Sequence, residues 1–230
     1  MVISTDLEDP HAVRSAAADT LGVGLGLYPL GVAFGVLLVQ SGFDWWWAPV
    51  FSSLIYAGSL EFLAIGLLLA VTPLASVAVT TFLVNFRHVF YGLSFPLHRV
   101  RGRAAKAYSV YALTDEAYAL SAARPHLTGR RIVAIQAFCQ AYWVLGGVTG
   151  ALLGAALPGT VRGLDFALTA LFAVLAVDGW RATRDVPGPI LALLSALAAL
   201  LVAKGQLLVV ALGLYVAALT VRHLLRGRRA

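Results

Sequence analysis

Asn85-Phe86-Arg87-His88-Val89-Phe90-Tyr91 decides how this chain is read. It lies inside an otherwise apolar run from about Pro73 to Pro96, long enough to cross a bilayer, which takes about 20 apolar residues. An arginine in the middle of such a run costs about 2.5 to 3.5 kcal/mol on insertion scales, so it turns to a bundle interior, a partner or water rather than to lipid. At helical spacing Asn85 and His88 share one face with Thr81, and Arg87 and Tyr91 share the next with Thr80. Both faces are polar, and Arg87 requires a compensating group.

Composition agrees with that reading. The chain is 60% hydrophobic and only 12% charged, which suits a polytopic membrane protein and not a soluble domain. The net charge of +6 sits in short loops and at the C-terminus, the pattern of cytoplasmic loops, so it argues against nucleic acid as a partner. A single cysteine, Cys139, excludes an internal disulfide, and no Cys/His cluster has zinc spacing, so neither metal nor cofactor is expected. An enzyme is not expected either, since no Gly-x-Ser-x-Gly, His-Glu-x-x-His or paired intramembrane aspartate motif occurs.

Residues 1–19 read as an acidic tail, with Asp6, Glu8, Asp9 and Asp19 and no basic segment of a signal peptide. Residues 20–222 read as the transmembrane domain and 223–230 as a basic tail. The first span is expected at about Leu21–Gln40, where the Gly22/Gly26 and Gly31/Gly35 pairs suit close helix packing and Pro29 marks a kink. A second span opens at the interfacial Trp45-Trp46-Trp47 cluster and runs to about Val71. Its centre is Tyr56-Ala57-Gly58-Ser59-Leu60-Glu61-Phe62, in which Gly58-Ser59 is a natural place for a helix to unwind before the one carboxylate, Glu61.

After the third span the loop carrying His98, Arg99, Arg101, Arg103 and Lys106 is expected in the cytoplasm. Residues 108–123 are short and polar, and the next loop, with Arg124, Arg130 and Arg131, is basic again. A re-entrant or half-depth helix satisfies both loops, with Asp115 and Glu116 lining a cavity, although adjacent helical residues point about 100° apart and cannot both face one site. Further spans are expected at Ile132–Leu157, Gly163–Trp180, Pro189–Ala203 and Gln206–Val221. The fold expected is thus an all-α, polytopic membrane helix bundle of about seven spans plus the half-depth helix, with the C-terminus cytoplasmic and the N-terminus outside. The acid one residue before a phenylalanine, in Glu61-Phe62 and again in Gly163-Leu164-Asp165-Phe166, hints at an inverted repeat.

Three blocks in order, Tyr56-Ala-Gly-Ser-Leu-Glu-Phe62, Asn85-Phe-Arg-His-Val-Phe-Tyr-Gly92 and Leu113-Thr-Asp-Glu116, resemble the AzlC family, the large subunit of two-component branched-chain amino acid exporters. The resemblance extends over roughly residues 20–200 and takes in Pro29, Phe34-Gly35 and Gly163-Leu-Asp-Phe166. It implies a prokaryotic inner-membrane exporter of valine, leucine, isoleucine and sometimes methionine, working with a small AzlD-like membrane protein. Glu61 departs from the glutamine that many relatives carry there, which opens proton or amine binding at that position.

For a zwitterionic substrate, Arg87 or the N–H groups of a half-helix after Gly58-Ser59 would take the carboxylate. Glu61 or Asp115 would take the ammonium or a coupling proton, and Phe34, Phe62 and Tyr91 would line an apolar slot. Plainer roles stand beside these: a structural Arg87–Glu61 ion pair, interhelical hydrogen bonds for Asn85 and His88, and core packing for the aromatics. An accessory or scaffold subunit, or a transporter of another solute, is the alternative.

Overall fold

The computed structural model describes residues 11–122, 124, 126–157, 173, 177, 186–202 and 207–227. Every regular element among them is helical. They fall into two units, one holding residues 11–65 and 86–157, the other 66–85 and the described residues from 173 onward.

In the first unit α1 (Ala12–Gln40) and α8 (Gly129–Ala156) form the frame. Both are long and apolar enough to span a membrane. Glycines decide how they meet. A Cβ on Gly31 would lie 2.7 Å from the Trp143 carbonyl oxygen, and one on Gly35 or Gly150 would collide with the Gly147 or Val32 carbonyl oxygen. The backbones therefore touch, which is the use of small residues where lipid offers no hydrophobic drive. Of the two glycine pairs expected to pack, Gly31/Gly35 does so, whereas Gly22 and Gly26 have open space before them. Pro29 lies within α1 and does not end it, and Gly42, at φ +94°, stops the chain just beyond Gln40.

The contacts also fix direction. Asp19 pairs with Arg131, Gly24 meets Tyr142, Gly35 meets Gly147 and Ala151, and Gly154 meets Val36. Residue numbers rise together, so α1 and α8 run parallel and begin at the same end. An N-terminus outside with Arg124–Arg131 inside requires these helices to be antiparallel, so the two expectations do not hold together.

Short helices complete the unit's polar interior. The segment expected as one span over Trp45–Val71 is α2 (Trp47–Leu54) and α3 (Gly58–Leu69), separated at residues 55–57, where Tyr56 takes φ +42°. The unwinding thus falls just before Gly58-Ser59. The run from Pro73 to Pro96 is α4 (Leu74–Asn85) and α5 (Arg87–Ser94), interrupted at Phe86, and counts as a third crossing only if the two are taken together. The faces expected to join Asn85 to His88 therefore do not continue through Phe86. After a 3₁₀ turn at Leu97–Arg99, α6 (Arg103–Tyr111) and α7 (Asp115–Ala122) are separated at residues 112–114.

The α6–α7 hairpin enters and leaves at one end of the frame. Arg99 Nη1 donates to the Leu127 carbonyl before it, and Arg124 pairs with Asp19 after it. Its tip lies deep, where the Tyr111 hydroxyl donates to the Ser53 carbonyl at 2.5 Å and receives Gln140 Nε2 at 3.1 Å. The single helix expected over residues 108–123 is thus two helices that turn back at residues 112–114.

In the second unit α9 (Pro187–Val202) and α10 (Leu207–Gly227) pack together, with α4 against α10. They fall where Pro189–Ala203 and Gln206–Val221 were expected. The expected span Gly163–Trp180, and with it the Gly163–Phe166 half of the repeat, lies outside the described residues. Among the described residues two helices are long and apolar enough to cross a membrane, or three with α4 and α5 joined.

Candidate functional site

Glu61 is fully buried in the first turn of α3. A carboxylate out of water needs donors to offset its lost hydration, and three arrive from three places. Ser52 Oγ of α2 donates to Oε2 at 3.0 Å, the Ala57 N–H of the unwound linker to Oε1 at 3.1 Å, and Trp143 Nε1 of α8 to Oε1 at 2.9 Å. Phe34, Phe62 and Trp143 close around it, with Phe34 at 6.1 Å from Trp143 and 5.6 Å from Phe62, ring centre to ring centre. Phe34 and Phe62 are thus packed in the closed core beside Glu61. Trp143 is 14 residues into α8, about 21 Å along a 1.5 Å rise per residue, so this knot sits near the middle of a span.

Arg87 goes elsewhere. It opens α5, and its Nη2 lies 3.0 Å from Asp115 Oδ2, in the first turn of α7, and 3.5 Å from Ser59 Oγ, in the first turn of α3. The expected alternative of an Arg87–Glu61 ion pair is therefore corrected: neutral donors satisfy Glu61, and Asp115 compensates Arg87. Three helices start at this junction. The N–H groups of a helix's first turn lack intrahelical acceptors and carry partial positive charge, so the junction favours a negative group.

The pair is not closed. Arg87 and Asp115 keep 39% and 35% of their side-chain surface through their other atoms, while Arg87 Nε and Asp115 Oδ1 are buried and have no hydrogen-bond partner among the described residues. An arginine has five donor hydrogens and a carboxylate about four acceptor positions, so each retains capacity for a ligand. Beside them α5 and α7 run parallel. Tyr91 stacks on Tyr118 at 4.4 Å, His88 packs on the edge of Tyr91 at 5.4 Å, and the Ser94 and Tyr118 hydroxyls are 2.7 Å apart.

Of the remaining candidates, Gly58 begins α3 and lies against the Trp143 ring, where a Cβ would be 3.0 Å from it. Glu116, half-buried, follows Asp115 in the first turn of α7, where adjacent helical positions point about 100° apart. Asn85 ends α4 in the other unit and is half-buried. Among the described residues no group of three His, Cys, Asp or Glu side chains could hold a metal ion.

Sequence reasoning did not find the partners that build this interior. Trp143 and Ser52 hold Glu61. Gln136 receives Ser109 Oγ at 2.7 Å and donates to the Ser109 carbonyl at 2.8 Å, and Gln140 receives the Tyr108 hydroxyl at 2.8 Å. Two glutamines four residues apart in an apolar helix were the available signal, since amides inside a span seek interhelical partners.

Residues 22–157 match the family described as AzlC protein. A membrane protein of Helicobacter pylori (strain 26695) is 34% identical over 179 residues, spanning 76% of this chain and 78% of its own. One from Haemophilus influenzae is 32% identical over 211 residues, spanning 88% and 86%. The branched-chain amino acid transport protein AzlC of Bacillus subtilis is 33% identical over 174 residues, spanning 74% and 68%. No solved structure matches the chain. With a family match over more than half its length and relatives aligned along most of theirs, this multi-pass membrane protein belongs to the AzlC family.

Proposed function

We propose that the chain exports branched-chain or similar neutral amino acids across the cytoplasmic membrane, together with a small AzlD-like membrane subunit. The substrate class is supported by the name of the Bacillus subtilis relative, and the direction and the small subunit by what the AzlC family implies. The observation that carries the reading is the open Arg87–Asp115 pair at the meeting of three helix starts.

A zwitterion suits this junction. Its carboxylate takes the Arg87 guanidinium and the first-turn N–H groups, its ammonium takes the Asp115 carboxylate, and its side chain lies along the Tyr91–Tyr118 stack. A proton is the coupling ion in this scheme, carried by Glu61. The Ser52 hydroxyl can donate to an ionised Oε2 or accept from a protonated one, so both states keep their hydrogen bonds while the Trp143 and Ala57 donors stay on Oε1. Positive loops mark the cytoplasmic side, so the shared beginning of α1 and α8, with Arg124, Arg130 and Arg131, lies there and the N-terminus is cytoplasmic.

The test is efflux of radiolabelled valine, leucine, isoleucine and methionine from dipeptide-loaded cells, with the chain alone and with its small neighbour. Efflux that needs both chains and is lost in an Arg87→Ala protein that still inserts supports the reading. Efflux unchanged by Arg87→Ala removes the junction from it, and no movement of any of the four removes the substrate class.

A further inference from the structure

A second site lies at the other end of the first unit, about 20 Å along α8 from Trp143 at a 1.5 Å rise per residue. A cavity of about 890 Å³ opens where the 3₁₀ turn, the start of α6 and the start of α8 meet. Its rim carries five groups that bear or can bear positive charge: His98, Arg99, Arg101, His126 and Arg130. Among the described residues no aspartate or glutamate lines it. The nearby Asp19 is already taken by Arg124 and Arg131, at 3.3 and 2.5 Å, and contributes no compensation to the rim.

The floor is different in kind. Val133, Ala134 and Ala137 present one apolar stripe of α8, continued by Val13 of α1 and Ala105 of α6. The cavity is also held open by a backbone constraint. A Cβ on Gly129 would collide with the Arg99 carbonyl oxygen, so only glycine lets the arginine-bearing loop lie directly against the first turn of α8. Thr128 caps that turn by accepting the Arg131 N–H, which leaves the N–H groups of Gly129 and Arg130 without intrahelical acceptors beside the rim. Planar guanidinium groups and helix-start N–H groups both favour an oxyanion, carboxylate or phosphate.

We infer that this cavity binds a phosphate-bearing anion, and the apolar floor beneath the cationic rim points to the headgroup of an anionic phospholipid with the root of its acyl chains on the stripe. A free phosphate would satisfy the rim and leave the floor unused. Clusters of basic residues beside a span attract anionic lipid at roughly fivefold in affinity per charge, so a rim that loses three arginines loses about a hundredfold. The inference is independent of what the chain transports.

The probes are phosphatidylglycerol, phosphatidylcholine and inorganic phosphate, offered to the detergent-purified full chain and read by native mass spectrometry. Phosphatidylglycerol is expected to remain bound at one copy where phosphatidylcholine does not. Arg99→Gln with Arg101→Gln and Arg130→Gln should abolish that copy, and Arg103→Gln with Lys106→Gln, outside the cavity lining, should leave it. Ala134→Phe, which fills the floor and keeps every charge, should also displace it, so the test survives misfolding of the triple variant. Retention of inorganic phosphate by the same arginines, without retained lipid, supports the anion site with a soluble ligand. Lipid binding untouched by both cavity variants, or no binding of either probe, overturns the inference.

Discussion

Asp19 Oδ2 receives Arg131 Nε at 2.9 Å and Nη2 at 2.5 Å across 112 residues of sequence, and its Oδ1 lies 3.3 Å from Arg124 Nη2. One carboxylate thus gathers the beginning of α1, the end of the α6–α7 hairpin and the beginning of α8 at a single end of the frame. Impermeant maleimide should report this directly. With Cys139 replaced by alanine, Arg14→Cys and Arg103→Cys are expected to label from the same side of the membrane. Labelling from opposite sides would refute the parallel frame.

The Arg87–Asp115 pair separates a structural role from a substrate role. Arg87→Ala and Asp115→Asn should each lower transport about ten- to a hundredfold, the value of a hydrogen bond to a charged group. The swap Arg87→Asp with Asp115→Arg keeps an ion pair and reverses it. Transport should stay lost in the swap while thermal stability recovers. Recovery of both would make the pair structural only.

Glu61 makes a different demand. In Glu61→Gln the amide oxygen still accepts from Trp143 and Ala57 while its NH₂ faces the Ser52 hydroxyl, which can turn to accept. Folding should survive, and the pH dependence of efflux should flatten. Glu61→Leu leaves three buried donors without acceptors, at about 1 to 3 kcal/mol each. Its yield and melting temperature in detergent should fall sharply below those of Glu61→Gln, and equal values for the two would refute the hydrogen-bond account.

Glycine contributions along α1 should be uneven. Gly35→Ala and, on α8, Gly150→Ala place a Cβ into a facing carbonyl, so α1 and α8 must separate and the protein should lose thermal stability. Gly22→Ala and Gly26→Ala meet open space and gain up to about 1 kcal/mol of helix propensity. Melting curves of the four variants should order accordingly.

What could be read in the sequence was what chemistry forces locally. Arg87 in an apolar run announced a compensated intramembrane charge, Gly58-Ser59 announced a broken helix, and two basic loops around residues 108–123 announced a hairpin that turns back. The choice of partner was not legible, because it depends on which helices meet. Glu61 was the partner expected for Arg87, whereas Trp143 holds Glu61 in the core and Asp115 takes the arginine. The break at Phe86 had no glycine or proline to mark it, so the polar faces of Asn85 and Arg87 were extended one turn too far. The parallel course of α1 and α8 was not legible either, because it depends on Asp19 meeting Arg131 across the chain.

The parallel frame also imposes a rule of parity. Gln40 ends α1 at the far end, and the loop at Arg99 lies beside Leu127 at the near end, so residues 41–98 must make an odd number of traverses. The α6–α7 hairpin adds none. Hydropathy offers two apolar stretches there, 45–71 and 73–96, and two full traverses would return the chain to the wrong face. A single reversal at one break, at residues 55–57 or at Phe86, would turn that even count into an odd one.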